Sequence, residues 1–306
     1  MVQNYCKILY VGLANAGKTS IILSLEQEYS SLSKVSPTLG VERTKMDLMG
    51  TEAIVWDLGG QDSFREKYIR DIRNFMDTDL IFYVVDIKDK SQYDSSIRYF
   101  KEIIKILDEF NEKLEIIICI HKFDPESANI NEHDKDFQNL KKRFEENSSR
   151  KIKVFKTSIY NKKSLIESFS SGFSKLISDL DNIDLILNNF LNEFKFEGIV
   201  FFEKNSLILS EVYKSEENKS FFLTIIMDML TTIENIKGMK RVNELFLDIN
   251  NQLQFLLKNI IINETNFFLV LIGDISVNIH KVWSIFFEQQ YPEIEKIINK
   301  INNSTN

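Results

Sequence analysis

The chain has 306 residues, about twice the usual length of a single domain, so two compact units with separate cores are expected. Its composition is 43% hydrophobic, 12% aromatic and 27% charged, with Gly 10 and Pro 3; this excludes a disordered, collagenous or coiled-coil chain and leaves little material for linkers. A net charge of −7, with Lys and Arg mixed among Asp and Glu, provides no basic stripe to neutralise a phosphate backbone, so nucleic acid is not expected as a partner.

The longest apolar runs, LIFYVV (80–85) and NFFLVLI (266–272), are far shorter than the roughly 20 residues needed to cross a bilayer. Position 2 is Val rather than the Gly that myristoylation needs, and the terminal NNSTN carries no prenylation Cys, so membrane residence is expected only through partners. The start MVQNYCKILY lacks the features of a secretory signal, which points to the cytosol. Cys6 and Cys119 sit in apolar strand-like runs and read as buried reduced thiols; with His 3 in the whole chain, a Cys/His zinc site is excluded.

In chain order, KILYV (7–11) reads as a strand that ends at Gly12, and TSIILSL (19–25) as the helix that follows a glycine loop. Four further apolar, β-branched runs follow at 53–58, 80–86, 114–120 and 152–155, unbroken by polar alternation as in strands covered on both faces. Between them, residues 95–110 place Ile97, Phe100, Ile103, Ile104 and Leu107 on one helical face. Strands separated by helices imply an α/β domain with a mainly parallel sheet, whose ligands bind beyond the carboxyl ends of the strands.

The motifs fall at those ends. Gly12-Leu-Ala-Asn-Ala-Gly17-Lys18-Thr19 fits the phosphate-loop pattern between a strand and a helix. Its glycines let the backbone wrap around an anion, so that the N–H groups of Asn15, Ala16, Gly17, Lys18, Thr19 and Ser20 and the positive end of the helix dipole face the phosphates. Lys18 adds a full charge near the β- and γ-phosphates, and the Thr19 hydroxyl is placed for Mg²⁺. In Trp56-Asp57-Leu58-Gly59-Gly60-Gln61, Asp57 ends a strand as a second Mg²⁺ anchor, Gly60 can bring its N–H to a γ-phosphate, and Gln61 can orient an attacking water. Thr38, in the polar stretch SSLSKVSPT, can offer Mg²⁺ its hydroxyl and the γ-phosphate its N–H. His121-Lys122-Phe123-Asp124 closes the next strand. There the Asp124 carboxylate can accept from N1–H and the 2-amino group of guanine, a donor pair that adenine lacks. Lys122 would lie along the base, while Thr157, Ser158 and Ile159 can present backbone N–H groups to the guanine oxygen.

After a helix at about 163–180 the pattern changes, and the boundary falls between residues 180 and 181. Residues 183–194 read as a helix, IVFFEK and SLILSEVY as strands joined by a tight turn at Asn205 and Ser206, and 219–236 as a helix with a wide apolar face. LFLDIN, QLQFLLKNIII and NFFLVLIG read as three more strands joined by Asn-rich turns, before one amphipathic helix through Trp283, Phe286, Ile294, Ile297 and Ile301. One antiparallel sheet flanked by helices is implied, an α+β domain, with Phe201, Phe202, Phe255 and Phe268 mostly filling its core.

GLANAGKTS and WDLGGQD resemble the Arf-like branch of small GTPases, while HKFD and TSIY resemble the Rag/Gtr GTPases, and WDLGGQDSFREKYI is similar to the Rag A-type segment. The region NFLNEFKFEGIVFFEKNSLILSEVY matches the passage of Rag proteins into a C-terminal roadblock domain. The resemblance implies a P-loop small GTPase in residues 1–180 and a roadblock/longin-like dimerisation domain in 181–306. It further implies GTP/GDP and Mg²⁺ as ligands, with Gln61, Lys18 and Thr38 catalytic and Thr19, Thr38 and Asp57 holding the metal. The implied partners are a second Rag-like chain in a homo- or heterodimer, roadblock/longin scaffold proteins, and activating and exchange proteins. His121, shared with Rag proteins, stands where most GTPases have an Asn tying the base loop to the phosphate loop, so weaker nucleotide affinity is expected; no arginine finger acting in cis is identifiable, so hydrolysis is expected to be slow without an activating protein. A nucleotide-holding scaffold with negligible turnover and an adenylate-using phosphate-loop enzyme are the competing readings.

Overall fold

The computed structural model describes residues 5–26, 35–48, 51–110, 114–125, 130–174, 176–177, 179–203, 207–235 and 242–304. The chain divides into two compact units, Met1–Leu176 and Ile177–Asn306.

The first unit runs β1 (Tyr5–Gly12), α1 (Lys18–Leu25), β2 (Val41–Leu48), β3 (Thr51–Leu58), α2 (Asp62–Arg70), β4 (Leu80–Asp86), α3 (Tyr93–Glu109), β5 (Glu115–His121), α4 (Ile130–Glu146), β6 (Lys153–Lys156) and α5 (Lys162–Phe173). The sheet order is β2-β3-β1-β4-β5-β6, parallel except for β2 against β3. Successive β4 residues explain why the sheet is covered twice. On one face Tyr83 packs on Phe100 of α3 and Phe144 of α4 at 5.2 and 5.6 Å between ring centroids. On the other face Phe82 stacks between Tyr10 at 4.7 Å and Phe169 of α5 at 5.7 Å. With all its central residues buried, β4 carries no polar alternation, and its apolar run is long enough to be read from sequence.

Three elements of this unit carry weaker sequence signals. The edge strand β2, VERTKMDL, is mostly polar, which suits a strand whose outer backbone must not recruit another chain. Helix α2 buries only Tyr68, and α4 shows an apolar face of Phe137, Leu140 and Phe144 within an otherwise charged stretch. The expected helix at 163–180 ends at Phe173, where a run of Ser168, Ser170, Ser171, Gly172 and Ser174 lowers helix propensity; a separate helix begins at Leu180.

The second unit contains α6 (Leu180–Phe194), β7 (Gly198–Glu203), β8 (Ile208–Tyr213), α7 (Lys219–Asn235), β9 (Glu244–Ile249), β10 (Leu253–Ile262), β11 (Thr265–Asp274), α8 (Ile279–Gln289) and α9 (Tyr291–Ser304). Its strands form one antiparallel sheet in the order β8-β7-β11-β10-β9. The Asn-rich turns take left-handed backbone: Asn263 and Glu264, both at positive φ, join β10 to β11 as a two-residue hairpin. The turn expected at Asn205 and Ser206 lies outside the described residues. The expected single terminal helix is two, because α8 closes at Gln290 and Pro292, which has no N–H to donate, sits in the first turn of α9.

Phe201, Phe202 and Phe255 are fully buried, whereas Phe268 is half-buried and its neighbour Phe267 takes the core position, stacked on Phe201 at 5.5 Å. Phe201→Ala should therefore destabilise the protein by about 3–5 kcal/mol in urea unfolding followed by circular dichroism. A loss of only about 0.5 kcal/mol, as at a surface position, would contradict this packing.

Candidate nucleotide site

The parallel strands β1, β3, β4 and β5 all deliver their carboxyl ends to one edge of the sheet, with β1 at the point where the chain switches sides. At Gly12 the backbone leaves β1 against β4: a Cβ there would lie 2.2 Å from Val84 O, and φ is +148°. The loop then turns through Asn15 at φ 60° and Gly17 at φ 99°, the residue that opens α1. The next carboxyl ends bring in Gly60 and Gln61, and Lys122. Asn15, Gly17, Lys18, Thr19, Ser20, Thr38, Gly60, Gln61 and Lys122 line one cavity of about 460 Å³. Ala16 lies buried beneath, its N–H directed to Leu13 O at 3.4 Å.

Lys18 is almost wholly buried, and its ammonium donates to the loop carbonyls of Leu13 at 3.0 Å and Gly12 at 3.3 Å. Burial pushes its pKa down to about 8, with the Asp57 carboxylate opposing and the Arg65 charge adding to the shift. Thr19, in the first turn of α1, donates its hydroxyl to Asp57 Oδ2. Thr38 donates to the same oxygen at 3.0 Å, and the two threonine oxygens lie 3.1 Å apart. Asp57 is 3% exposed, and its other oxygen, Oδ1, has no hydrogen-bond partner among the described residues. Three hard oxygen donors within one contact, one of them a buried carboxylate with an unsatisfied oxygen, fit Mg²⁺, which takes oxygen ligands and few carboxylates.

Gly60 lies against the phosphate loop so closely that a Cβ would meet Leu13 C at 2.2 Å and Ala14 N at 2.3 Å. Its neighbour Gly59 donates to Gly40 O at 2.8 Å, and Tyr68 of α2 donates to the same carbonyl at 2.7 Å. Arg65 Nε donates to Gly60 O at 3.1 Å, with its guanidinium over the Tyr99 ring. Tyr68, Gly40 and Arg65 are contributors that the motif reading did not name.

His121 is buried behind the phosphate loop. Its ring would collide with any side chain at Gly17, and Nδ1 lies 3.0 Å from Thr157 Oγ1. The imidazole thus ties the base loop to the phosphate loop by packing. Lys122, at φ 62°, reaches Asp86 Oδ2 at 2.6 Å. Asp124 is held by Ser158 Oγ at 2.6 Å and Lys88 Nζ at 2.5 Å. Burial raises its pKa, but these two bonds outweigh it and the carboxyl sits below the usual carboxylate range. The three amides expected to face the guanine oxygen divide differently. Thr157 N–H donates to Ile120 O at 2.9 Å and Ser158 N–H to Ser164 Oγ at 3.1 Å, which leaves Ile159 to offer its N–H while Ser158 acts through its hydroxyl.

Residues 7–236 match the Gtr1/RagA G protein conserved region, three quarters of the chain. The chain belongs to the Gtr1/RagA family. Its relatives include Ras-related GTP-binding protein A of Dictyostelium discoideum, 26% identical over 211 residues that cover 66% of this chain and 68% of that protein. GTP-binding protein GTR1 of Saccharomyces cerevisiae is 25% identical over 216 residues, covering 68% of each. Among solved structures, the Arl6 BBS3 small GTPase from Trypanosoma brucei with bound nucleotide analogue GppNp superposes with a TM-score of 0.43 and 17% identity, over 56% of this chain and 96% of that one. In this Gtr1/RagA chain the matched region spans all the loops described above, from Gly12 to Ser164.

His121 yields a pH test. Burial, with the Lys122 charge, lowers its pKa to about 4 from an ordinary 6.5. Above pH 6.5 the ring is neutral in both folded and unfolded chains. Below that the unfolded chain takes up the proton first, so stability falls as pH drops from about 6.5 toward 4, by about 3 kcal/mol in all. Urea unfolding of the nucleotide-free protein across that window should show the loss, and His121→Asn should lack this component. Parallel pH profiles for the two proteins would contradict the neutral buried ring.

Proposed function

We propose that the chain is a GTP/GDP-dependent switch that binds guanine nucleotide with Mg²⁺, hydrolyses GTP slowly by itself, and dimerises through its second unit. The observation that carries this reading is that Lys18, Thr19 and Thr38 line one cavity at the end of a phosphate loop, with both threonine hydroxyls on the buried Asp57 carboxylate behind them, whose other oxygen is unsatisfied among the described residues. Thr19 and Thr38, with Asp57 behind them, would hold Mg²⁺, which when bound supplies positive charge to the β- and γ-phosphate oxygens. The amides of Asn15, Gly17, Lys18, Thr19 and Ser20 and the α1 dipole bind the phosphates, and the Lys18 ammonium is stabilised beside a polyanion. Gln61 orients a water: its oxygen forms the new bond to the γ-phosphorus, the bond to the β-phosphate oxygen breaks, and the water proton passes to phosphate. Arg65 is engaged at the Gly60 carbonyl and over Tyr99, so an arginine from an activating protein is expected to supply the remaining transition-state charge.

The switch lies in the Gly40 carbonyl, which receives both Gly59 N–H and Tyr68 OH. A loop that lets go of the γ-phosphate through Thr38 therefore perturbs the Gly60 segment and α2 together. On this reading, residues 1–180 are the switch and 181–306 a roadblock-type module that pairs with a second Rag-like chain of the same or another kind. Exchange and activating proteins would act on the first, and roadblock/longin scaffolds on the second. No helix among the described residues is long and apolar enough to cross a membrane; the site of action proposed is cytoplasmic, with membrane recruitment through partners.

Two experiments test the proposal. Asp124→Asn should weaken GTP binding by about a hundredfold or more while improving xanthosine triphosphate binding, because the base loses its charged acceptor and meets a donor instead; unchanged GTP affinity would remove the base assignment. In multiple-turnover assays Gln61→Leu should release phosphate about tenfold more slowly than wild type. Equal rates would favour a nucleotide-holding scaffold.

A further inference from the structure

The carboxylate assigned to the base is already engaged from both sides. Asp124 Oδ1 accepts from Ser158 at 2.6 Å, and Oδ2 accepts from the Lys88 ammonium at 2.5 Å. Lys88 is not a freely wandering surface side chain. Its own N–H donates to Asp86 Oδ1 at 2.8 Å, and the preceding residue, Ile87, is fully buried with its N–H on His121 O at 3.0 Å. The other oxygen of Asp86 holds Lys122 at 2.6 Å. Two carboxylates and two ammonium groups therefore alternate across the ends of β4 and β5, and Lys88 is the member placed on the base-reading group. The side chains of Lys88 and Asp124 are 45% and 19% exposed, so the pair is strong enough to form and weak enough to be displaced.

We propose that Lys88 is a specificity-determining residue of the base site: its ammonium competes with guanine for Asp124 and supplies a donor that suits a purine with a 2-oxo group. This deepens the guanine reading above and rests on the assignment of Asp124 to the base. Guanine brings two donors, N1–H and the 2-amino group, and both need carboxylate lone pairs. Of about four lone-pair sites on the carboxylate, Ser158 and Lys88 already take one each, so the ammonium must give ground as guanine's two donors bind, and the intact pair weakens guanine binding. Xanthine brings N1–H and a 2-oxo acceptor. A carboxylate and an ammonium side by side complement that edge, so the pair narrows the preference for guanine over xanthine. A distant electrostatic role for Lys88, through attraction of the phosphates, would instead weaken or strengthen both nucleotides alike.

The test uses the full chain stripped of nucleotide, titrated with guanosine diphosphate and xanthosine diphosphate in the presence of Mg²⁺. Lys88→Met should tighten guanosine diphosphate binding about two- to fivefold, the range of one partly exposed ion pair, and weaken xanthosine diphosphate binding. Lys88→Arg keeps the charge and should stay close to wild type for both. A second readout needs no variant. In acylation of the wild-type protein followed by peptide mapping, Lys88 should react faster once guanosine diphosphate is added, relative to the exposed Lys105. Guanosine affinity unchanged or lowered in Lys88→Met, both nucleotides moving in the same direction, or Lys88 reactivity unaltered by nucleotide would each overturn the inference. If Asp124→Asn itself leaves guanosine diphosphate binding intact, the base assignment fails; if it abolishes that binding while Lys88→Met does nothing, only the role of Lys88 fails.

Discussion

Asp57 is a carboxylate placed at the end of a strand, almost wholly removed from water, with one oxygen shared by two threonine hydroxyls and the other unsatisfied among the described residues. A buried carboxylate with an uncompensated oxygen is costly unless a cation answers it. Its charge acts on Lys18, itself buried and pushed down to about 8 by that burial while its ammonium donates to backbone carbonyls. Asp57 keeps an unsatisfied oxygen among the described residues, and Lys18 keeps a charge that burial disfavours. On the proposed reading, a polyanion with a divalent ion would resolve both deficits at once.

Holding these groups in place demands close backbone approach at several points. Gly12 presses on the β4 backbone, Gly17 on the His121 ring, and Gly60 on the phosphate loop. Each contact leaves no room for a Cβ, so the loop positions depend on one another. The Gly40 carbonyl extends that dependence to the Thr38 loop and to α2. The aromatic layers around Phe82 and Tyr83 fix the sheet beneath, which is why small shifts at the loops need not disturb the core. The second unit has its own sheet and core.

The legible parts of the site were those written as local spacing. Lys18, Thr19, Asp57 and Gln61 stand in short motifs at strand ends, and the strand runs of β4 and β5 announce themselves because both faces are covered. What was not legible depends on pairs far apart in the chain. Lys88 and Asp124 meet only because β4 and β5 are neighbours, and no local pattern around Lys88 distinguishes it from a solvated lysine. Tyr68 and Gly40 find each other across the loop, and α2 fully buries no other side chain. In the second unit, the exchange of Phe268 for Phe267 in the core follows from period-two alternation, where a one-residue error reverses the face. The break between α8 and α9 is marked only by Pro292, inside a continuous apolar period.

The most direct measurement is calorimetric titration of guanosine triphosphate into the nucleotide-free full chain, once with Mg²⁺ and once with a chelator. Saturable heat at one nucleotide per chain, with affinity at least about tenfold weaker in chelator, is what the two deficits at Lys18 and Asp57 require. No heat with Mg²⁺ present, or binding indifferent to the metal, would contradict it.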